Sequence, residues 1–229
     1  MIELMHVSQR YRIREVLKDV TFTAEKGQIT CLIGVNGAGK STVLKTVMGL
    51  TPIQGGSIQI DGKPISPNTY EQISYIPDHL AIPASMKLSN ALRFMEDFYN
   101  SWNRERADEL MRFFDLDGKE RAGRLSKGNA AKFNLVLGLA QNSDYVIMDE
   151  PFAGIDLFIR ERIAEVFSSE LVGNRGVLLT THEVREIEHL IDKAVLLRDG
   201  TVARSFECEQ VRMEENKSVV DIMKEVLLP

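Results

Sequence analysis

Nine consecutive residues, Gly34-Val35-Asn36-Gly37-Ala38-Gly39-Lys40-Ser41-Thr42, place four residues between one glycine and a Gly-Lys-Ser triplet. A loop that cradles phosphates needs that spacing. Glycines let successive backbone N–H groups turn inward without a Cβ clash, and a helix starting behind the loop adds about half a positive charge at its N-terminus. The apolar run Ile29 to Ile33 predicts a buried strand ahead of the loop, and Lys40 to Leu50 predicts a helix behind it. Asn36, Gly37, Ala38, Gly39, Lys40, Ser41 and Thr42 are therefore candidate contacts to the phosphates of ATP. In this reading Lys40 reaches the β- and γ-phosphates and the Ser41 hydroxyl ligates Mg²⁺. A glycine-rich turn without a ligand has the same composition but does not require the strand and helix on either side.

A second group with chemical capacity follows Tyr145-Val146-Ile147-Met148, where an apolar run leads straight into Asp149-Glu150. Both carboxylates then sit at the carboxyl end of a buried strand, the edge where open α/β sheets bind ligands. Asp149 suits Mg²⁺ coordination, usually through water, and Glu150 suits polarising a water that attacks a γ-phosphate. Alone, such a pair also fits a helix N-terminal cap; the phosphate loop upstream favours the catalytic reading.

Positioning these groups requires an α/β core. Val20 to Phe22, Ile29 to Ile33 and Ser57 to Ile60, closed by Asp61-Gly62, read as strands of a β-rich edge. From about Pro83 to Asn142 helical periodicity takes over: Asn103 is placed to cap a helix with Ala107, Leu110, Met111 and Phe114 on one face. Strand and helix then alternate, with strands at Tyr145 to Met148 and Val177 to Thr181 and helices around Phe158 to Leu171 and Val184 to Ile191. Val195 to Arg198, Asp199-Gly200 and Thr201 to Ala203 make a hairpin ahead of a polar, acidic tail. The expected division is one domain, 1–229: a catalytic core from 1–82 and 143–210, a helical lobe from 83–142 and a tail from 211–229.

The 229 residues, 44% hydrophobic, can bury a substantial core. A net charge of -5 without a long basic tract argues against a nucleic-acid partner. The two cysteines, Cys31 and Cys208, fit a reducing compartment. No window approaches the roughly 18 uninterrupted apolar residues of a membrane-spanning helix, so membrane association is expected through a partner.

Between the two motifs lies Leu125-Ser126-Lys127-Gly128-Asn129, followed by a helix-like run from Ala130 to Gln141. Ser126 alone reads equally as a helix cap. With its neighbours, this segment resembles the signature of the ABC ATPase family, normally Leu-Ser-Gly-Gly-Gln, matching at Leu125, Ser126 and Gly128. The resemblance runs from about Ile2 to Ala203 and keeps the family's order of motifs: Tyr11, Gly34 to Thr42, Asp78, Ser126 to Gly128, Asp149-Glu150, Asp156, His182. It implies an α/β fold, a P-loop NTPase (RecA-like) core with an antiparallel β subdomain and an inserted α-helical subdomain.

By that resemblance Tyr11 stacks on adenine, although core packing is its other reading. His182 is implied to bond the γ-phosphate beside Glu150. Ser126, Lys127 and Gly128 are implied to meet the γ-phosphate on a second subunit, making ATP the glue of a homodimer or a heterodimer. Asp156 matches the loop crossing that interface, and also fits a helix N-cap. Asp78 stands where the family carries glutamine, or glutamate in some branches; it is one methylene shorter, can still approach Mg²⁺ through a water molecule, and adds negative charge near the phosphates. Lys127 looks like the form found in bacterial exporters of the bacitracin, lantibiotic-immunity and toxin-peptide type. The implied protein is an ATP-hydrolysing subunit that drives transport, export of a peptide or other amphipathic molecule, through separate transmembrane subunits. It would be cytoplasmic, peripheral on the inner face of the membrane. The alternatives are a soluble ABC ATPase of iron–sulfur assembly and a P-loop kinase, the latter leaving Ser126 to Gly128, Asp156 and His182 unexplained.

Overall fold

The computed structural model describes residues 1–152, 157–168 and 173–227. In chain order the strands are β1 (Ile2–Tyr11), β2 (Arg14–Ala24), β3 (Ile29–Ile33), β4 (Gly55–Ile60), β5 (Lys63–Pro64), β6 (Ile73–Ile76), β7 (Tyr145–Asp149), β8 (Gly176–Thr181), β9 (Lys193–Arg198) and β10 (Thr201–Glu207). The helices are α1 (Lys40–Val47), α2 (Leu88–Phe98), α3 (Arg104–Phe113), α4 (Lys127–Leu139), α5 (Leu157–Ser168), α6 (Cys208–Glu214) and α7 (Val219–Leu227).

Two sheets organise them. The antiparallel one has strand order β2-β1-β4-β5; the other, β10-β9-β3-β8-β7-β6, is parallel except for the β9–β10 hairpin. Both faces of the parallel sheet are covered, which is why its strands are continuous apolar runs rather than alternating ones. Side-chain alternation still divides them between two cores. Leu32, Ile147 and Leu178 pack with α1 and the antiparallel sheet, while Cys31, Ile33, Val146, Met148, Val177 and Leu179 face the helices on the other side.

Register decides where the chemistry gathers. Ile33 pairs with Thr181, and Asp149 with Thr180, so β3, β7 and β8 all end at one edge. Gly34, Glu150 and His182 follow those strands in turn. Helices α2 and α3 each pack on α4, and α4 lies along β6.

Asn103 caps α3, its side chain accepting from the Arg106 N–H, and Ala107, Leu110, Met111 and Phe114 are buried below it. The expected helix from Val184 to Ile191 is instead two short 3-10 turns, Val184–Glu186 and Glu188–Leu190. The Ile187 backbone, at φ −120° and ψ 4°, leaves the helical region. Val184, Ile187 and Ile191 are all β-branched, with low helix propensity, and all three are buried without a continuous helix. Of the helix expected to Leu171, α5 covers 157–168; the rest lies outside the described residues. The polar tail forms two helices, α6 and α7, because Cys208, Val211, Val219, Val220 and Ile222 supply enough apolar surface to dock them.

Candidate nucleotide site

The loop from Gly34 to Thr42 bridges β3 and α1. Gly39, the N-cap of α1, adopts φ 109° and ψ 5°, a backbone that side chains rarely tolerate, and a Cβ there would sit 2.9 Å from Leu17 Cδ2. No side chain caps α1, and no acidic residue stands in its first turn. Among the described residues, then, no side chain competes for the uncapped N–H groups and the positive helix end. Asn36 and Gly37 are exposed in front of the loop, Ala38 and Gly39 are buried under it, and Ser41 and Thr42 are half-buried.

Lys40 is 6% exposed. Its Nζ donates to the Gly34 carbonyl at 2.8 Å and lies 3.2 Å from Glu150 Oε1, so the buried ammonium is paired and hydrogen-bonded. Glu150 is set by its neighbours on both sides of its carboxylate. Oε2 lies 2.8 Å from His182 Nδ1 and accepts from the His182 N–H at 3.3 Å, while the Glu150 backbone sits in the left-handed region at φ 48°. A non-glycine residue there is strained by about 1–3 kcal/mol and persists only because its surroundings hold it. One of those holds is the Thr180 hydroxyl, which accepts from the Glu150 N–H at 2.9 Å.

The same hydroxyl donates to Asp149 Oδ1 at 2.7 Å, and Ser41 Oγ donates to that oxygen at 3.1 Å. Asp149 is buried at the end of β7. A hydroxyl and a carboxylate side by side at an anion-binding helix end are hard oxygen donors of the kind that hold Mg²⁺ with phosphate oxygens. The donor set and the open loop in front of it fit Mg-ATP.

Tyr75, on β6, feels the same carboxylates: burial, then the charges of Asp149 and Asp78, push its phenol up to about 12. Cys31 on β3 is fully buried, and burial, then the nearby Cys208 and Glu150, push its thiol well up. Cys208 is also free and buried.

The other expected site residues lie around this centre. Tyr11 ends β1 half-exposed, its hydroxyl 3.3 Å from Thr51 Oγ1. Asp78 follows β6, exposed and bonded to His79 Nδ1 at 2.6 Å; among the described residues no hydrogen bond joins it to Ser41 or Asp149. It does line a cavity of about 240 Å³ with Lys127, Asn134 and Glu150. Ser126 caps α4, accepting from the Asn129 N–H at 3.2 Å, with Ser126 and Lys127 exposed and Gly128 buried. Nothing among the described residues bonds Ser126 to the loop 34–42. Asp156 lies outside the described residues.

Sequence reasoning missed Thr180 and Asn134. Thr180 stands two residues before His182 and is silent until the β7–β8 register places it beside Asp149. Asn134 interrupts the apolar run from Phe133 to Leu139, and that break is the one signal it gave.

Residues 17–153 match the family model described as ABC transporter. The chain is 31% identical over 221 residues to the lipopolysaccharide export system ATP-binding protein LptB of Haemophilus influenzae, with 92% of each covered. It is 28% identical over 217 residues to the ABC transporter ATP-binding protein YtrB of Bacillus subtilis, covering 93% of this chain and 74% of that one. A solved ATP-binding subunit of an ABC transporter superposes with a TM-score of 0.89 at 30% identity, covering 99% of both chains. The chain belongs to the ABC transporter family, as an ATP-binding subunit that hydrolyses ATP with Mg²⁺.

Proposed function

We propose that two of these subunits, identical or paired with a related one, close around two Mg-ATP molecules. Their hydrolysis would drive export of an amphipathic molecule through separate transmembrane subunits at the inner face of the membrane. The observation that carries the reading is the continuous set Lys40–Glu150–His182 beside Ser41–Asp149–Thr180, assembled at one sheet edge over an uncapped helix end.

In this reading the α1 N–H groups and Lys40 bind the β- and γ-phosphates, while Ser41 and Asp149 hold Mg²⁺. The ion supplies charge neutralisation on the phosphate oxygens. Lys40 exchanges its pairing with Glu150 for the phosphates, which leaves the Glu150 carboxylate to accept a proton from the attacking water. His182 keeps that carboxylate aimed and offers a second donor near the γ-phosphate. Tyr11 presents its ring to adenine. Asp78 reaches the metal through water, and the exposed Ser126, Lys127 and Gly128 meet the γ-phosphate of the facing subunit, with Asp156 near that interface.

The membrane subunit docks on the helical side. A groove of about 850 Å³, lined by Tyr70, Tyr75, Ile82, Met86, Phe94 and Tyr99, suits a short partner helix. Phe94 and Phe98 stand exposed beside it, their rings stacked 5.8 Å apart. Among the described residues no helix is long and apolar enough to cross a membrane. Lys127 supports export. The relation to LptB, named for lipopolysaccharide export, supports an amphipathic lipid cargo over the peptide suggested by Lys127 alone.

Glu150→Gln tests this assignment. It should bind ATP within about twofold of the native chain, lose about a hundredfold in turnover, roughly 2.7 kcal/mol, and accumulate as an ATP-dependent dimer on gel filtration. Undiminished hydrolysis would remove Glu150 from the mechanism.

A further inference from the structure

Helix α4 and the residues just past it hold β6 and the segments on either side of it at three successive levels. Gln141, just past its C-terminus, donates to the Tyr70 carbonyl at 3.0 Å. One turn back, Gly138 lies so close to β6 that a Cβ would fall 2.2 Å from Ile76 Cγ1. Another turn back, the Asn134 amide donates to the Pro77 carbonyl at 2.6 Å and to the His79 carbonyl at 3.3 Å. Those two carbonyls flank Asp78. Asn134 is 8% exposed, so its amide has little water to exchange these acceptors for, and losing it removes the donor that ties both carbonyls to α4.

Eight residues upstream on the same helix is Ser126, its N-cap, about 12 Å away along the axis. Asn134 also lines the cavity shared by Asp78, Lys127 and Glu150. One buried amide therefore fixes the backbone on both sides of Asp78 to the rod that carries the exposed Ser126 end. The Asp78 carboxylate itself is bonded only locally, to His79, among the described residues.

We propose that Asn134 is a positioning residue for hydrolysis: it latches the Asp78 loop to α4, so that Asp78 takes its place near Glu150 only as α4 does. The proposal rests on the role given to Asp78 above. A merely structural amide would contribute to stability and to nothing that depends on Asp78. The effect of Asn134 passes through its bonds to the carbonyls of Pro77 and His79.

A double-mutant cycle with purified full chain separates the two roles. Asn134→Asp keeps the side-chain shape, removes the NH₂ donor and turns an acceptor toward two carbonyls. With the thermal midpoint recorded for each variant, it should lower kcat for Mg-ATP about tenfold while the Kd for a fluorescent ATP analogue stays within about twofold. In an Asp78→Ala background the same substitution should change kcat by less than about twofold, because the loop no longer carries the group being placed. If the carboxylate prevents folding, Asn134→Ala completes the cycle with the same expectations. An Asn134 variant that folds and turns over at the native rate overturns the latch. So does a loss of equal size in both backgrounds when Asp78→Ala is itself costly, and that result leaves the role of Asp78 standing. Native turnover by Asp78→Ala alone overturns the role of Asp78, and the latch with it.

Discussion

Lys40 carries a full charge in a nearly closed environment, and the carboxylate that balances it, Glu150, is the group proposed to activate water. Each therefore keeps the other tolerable in the absence of phosphate, since an unpaired buried charge costs several kcal/mol. Lys40→Ala should weaken ATP binding by about a hundredfold, roughly 2.7 kcal/mol, through loss of its charge-assisted contacts to phosphate. Titration with a fluorescent ATP analogue measures it, and native affinity would remove Lys40 from the cradle. At this scale the sequence was legible where the chemistry is local. Gly34 to Thr42 and Asp149-Glu150 are contiguous, and the spacing within each motif is itself the geometry. Thr180 was illegible because its hydroxyl gains a role only from the pairing Asp149↔Thr180, and Asn134 because its acceptors lie 57 and 55 residues away.

Elements show the same division by distance. Strands β3, β7 and β8 are short, mostly apolar runs that each lead into a motif residue, and each is readable without a partner. β6 has only four residues, Ile73-Ser74-Tyr75-Ile76, and exists because β7 pairs with it and α4 covers it. β1 is interrupted near His6, where φ is 51°, so its alternation is out of step along its length. The expected helix at 184–191 failed for a related reason: burial of Val184, Ile187 and Ile191 is satisfied without helical backbone. The α4–β6 contact can be tested at Gly138. Alanine there gains about 1 kcal/mol of helix propensity, but its Cβ would lie 2.2 Å from Ile76 Cγ1 and 2.5 Å from Cδ1. Overpacking of a buried contact costs about 1–3 kcal/mol, so the clash outweighs the propensity and Gly138→Ala should lower the thermal midpoint by several degrees. Combining it with Ile76→Ala should cost less than the two separate losses added, because the second substitution removes the atoms that clash.

Across the whole molecule, the antiparallel sheet must stay seated on the parallel one for β2 to keep Leu17 against Gly39. Apolar packing around α1 does most of this, and a polar clasp closes the far end. Asp61, in the β4–β5 turn, accepts from the Tyr145 hydroxyl at the start of β7 and from the Met1 amino group, both at 2.6 Å. Lys26 lies 3.2 Å from both Asp61 and Asp144, its ammonium 5.4 Å above the Tyr145 ring. Burial alone would raise the Asp61 carboxyl, but the amino terminus, the Tyr145 hydroxyl and the Lys26 ammonium together hold it down to about 2, below its ordinary 3.8. A carboxylate depressed on folding adds stability that is present above the unfolded value and disappears as pH falls through the folded one. The side chain is 33% exposed, and solvent screening keeps the contribution to about 1 kcal/mol. Asp61→Asn should therefore lower the thermal midpoint at pH 7 by a few degrees. The gap between variant and native chain should hold down to about pH 4 and shrink toward pH 2, where the native carboxylate is itself being protonated. Thermal melts across that range decide it: a gap independent of pH would mean that shape at the turn, not the charge of Asp61, joins the two sheets there.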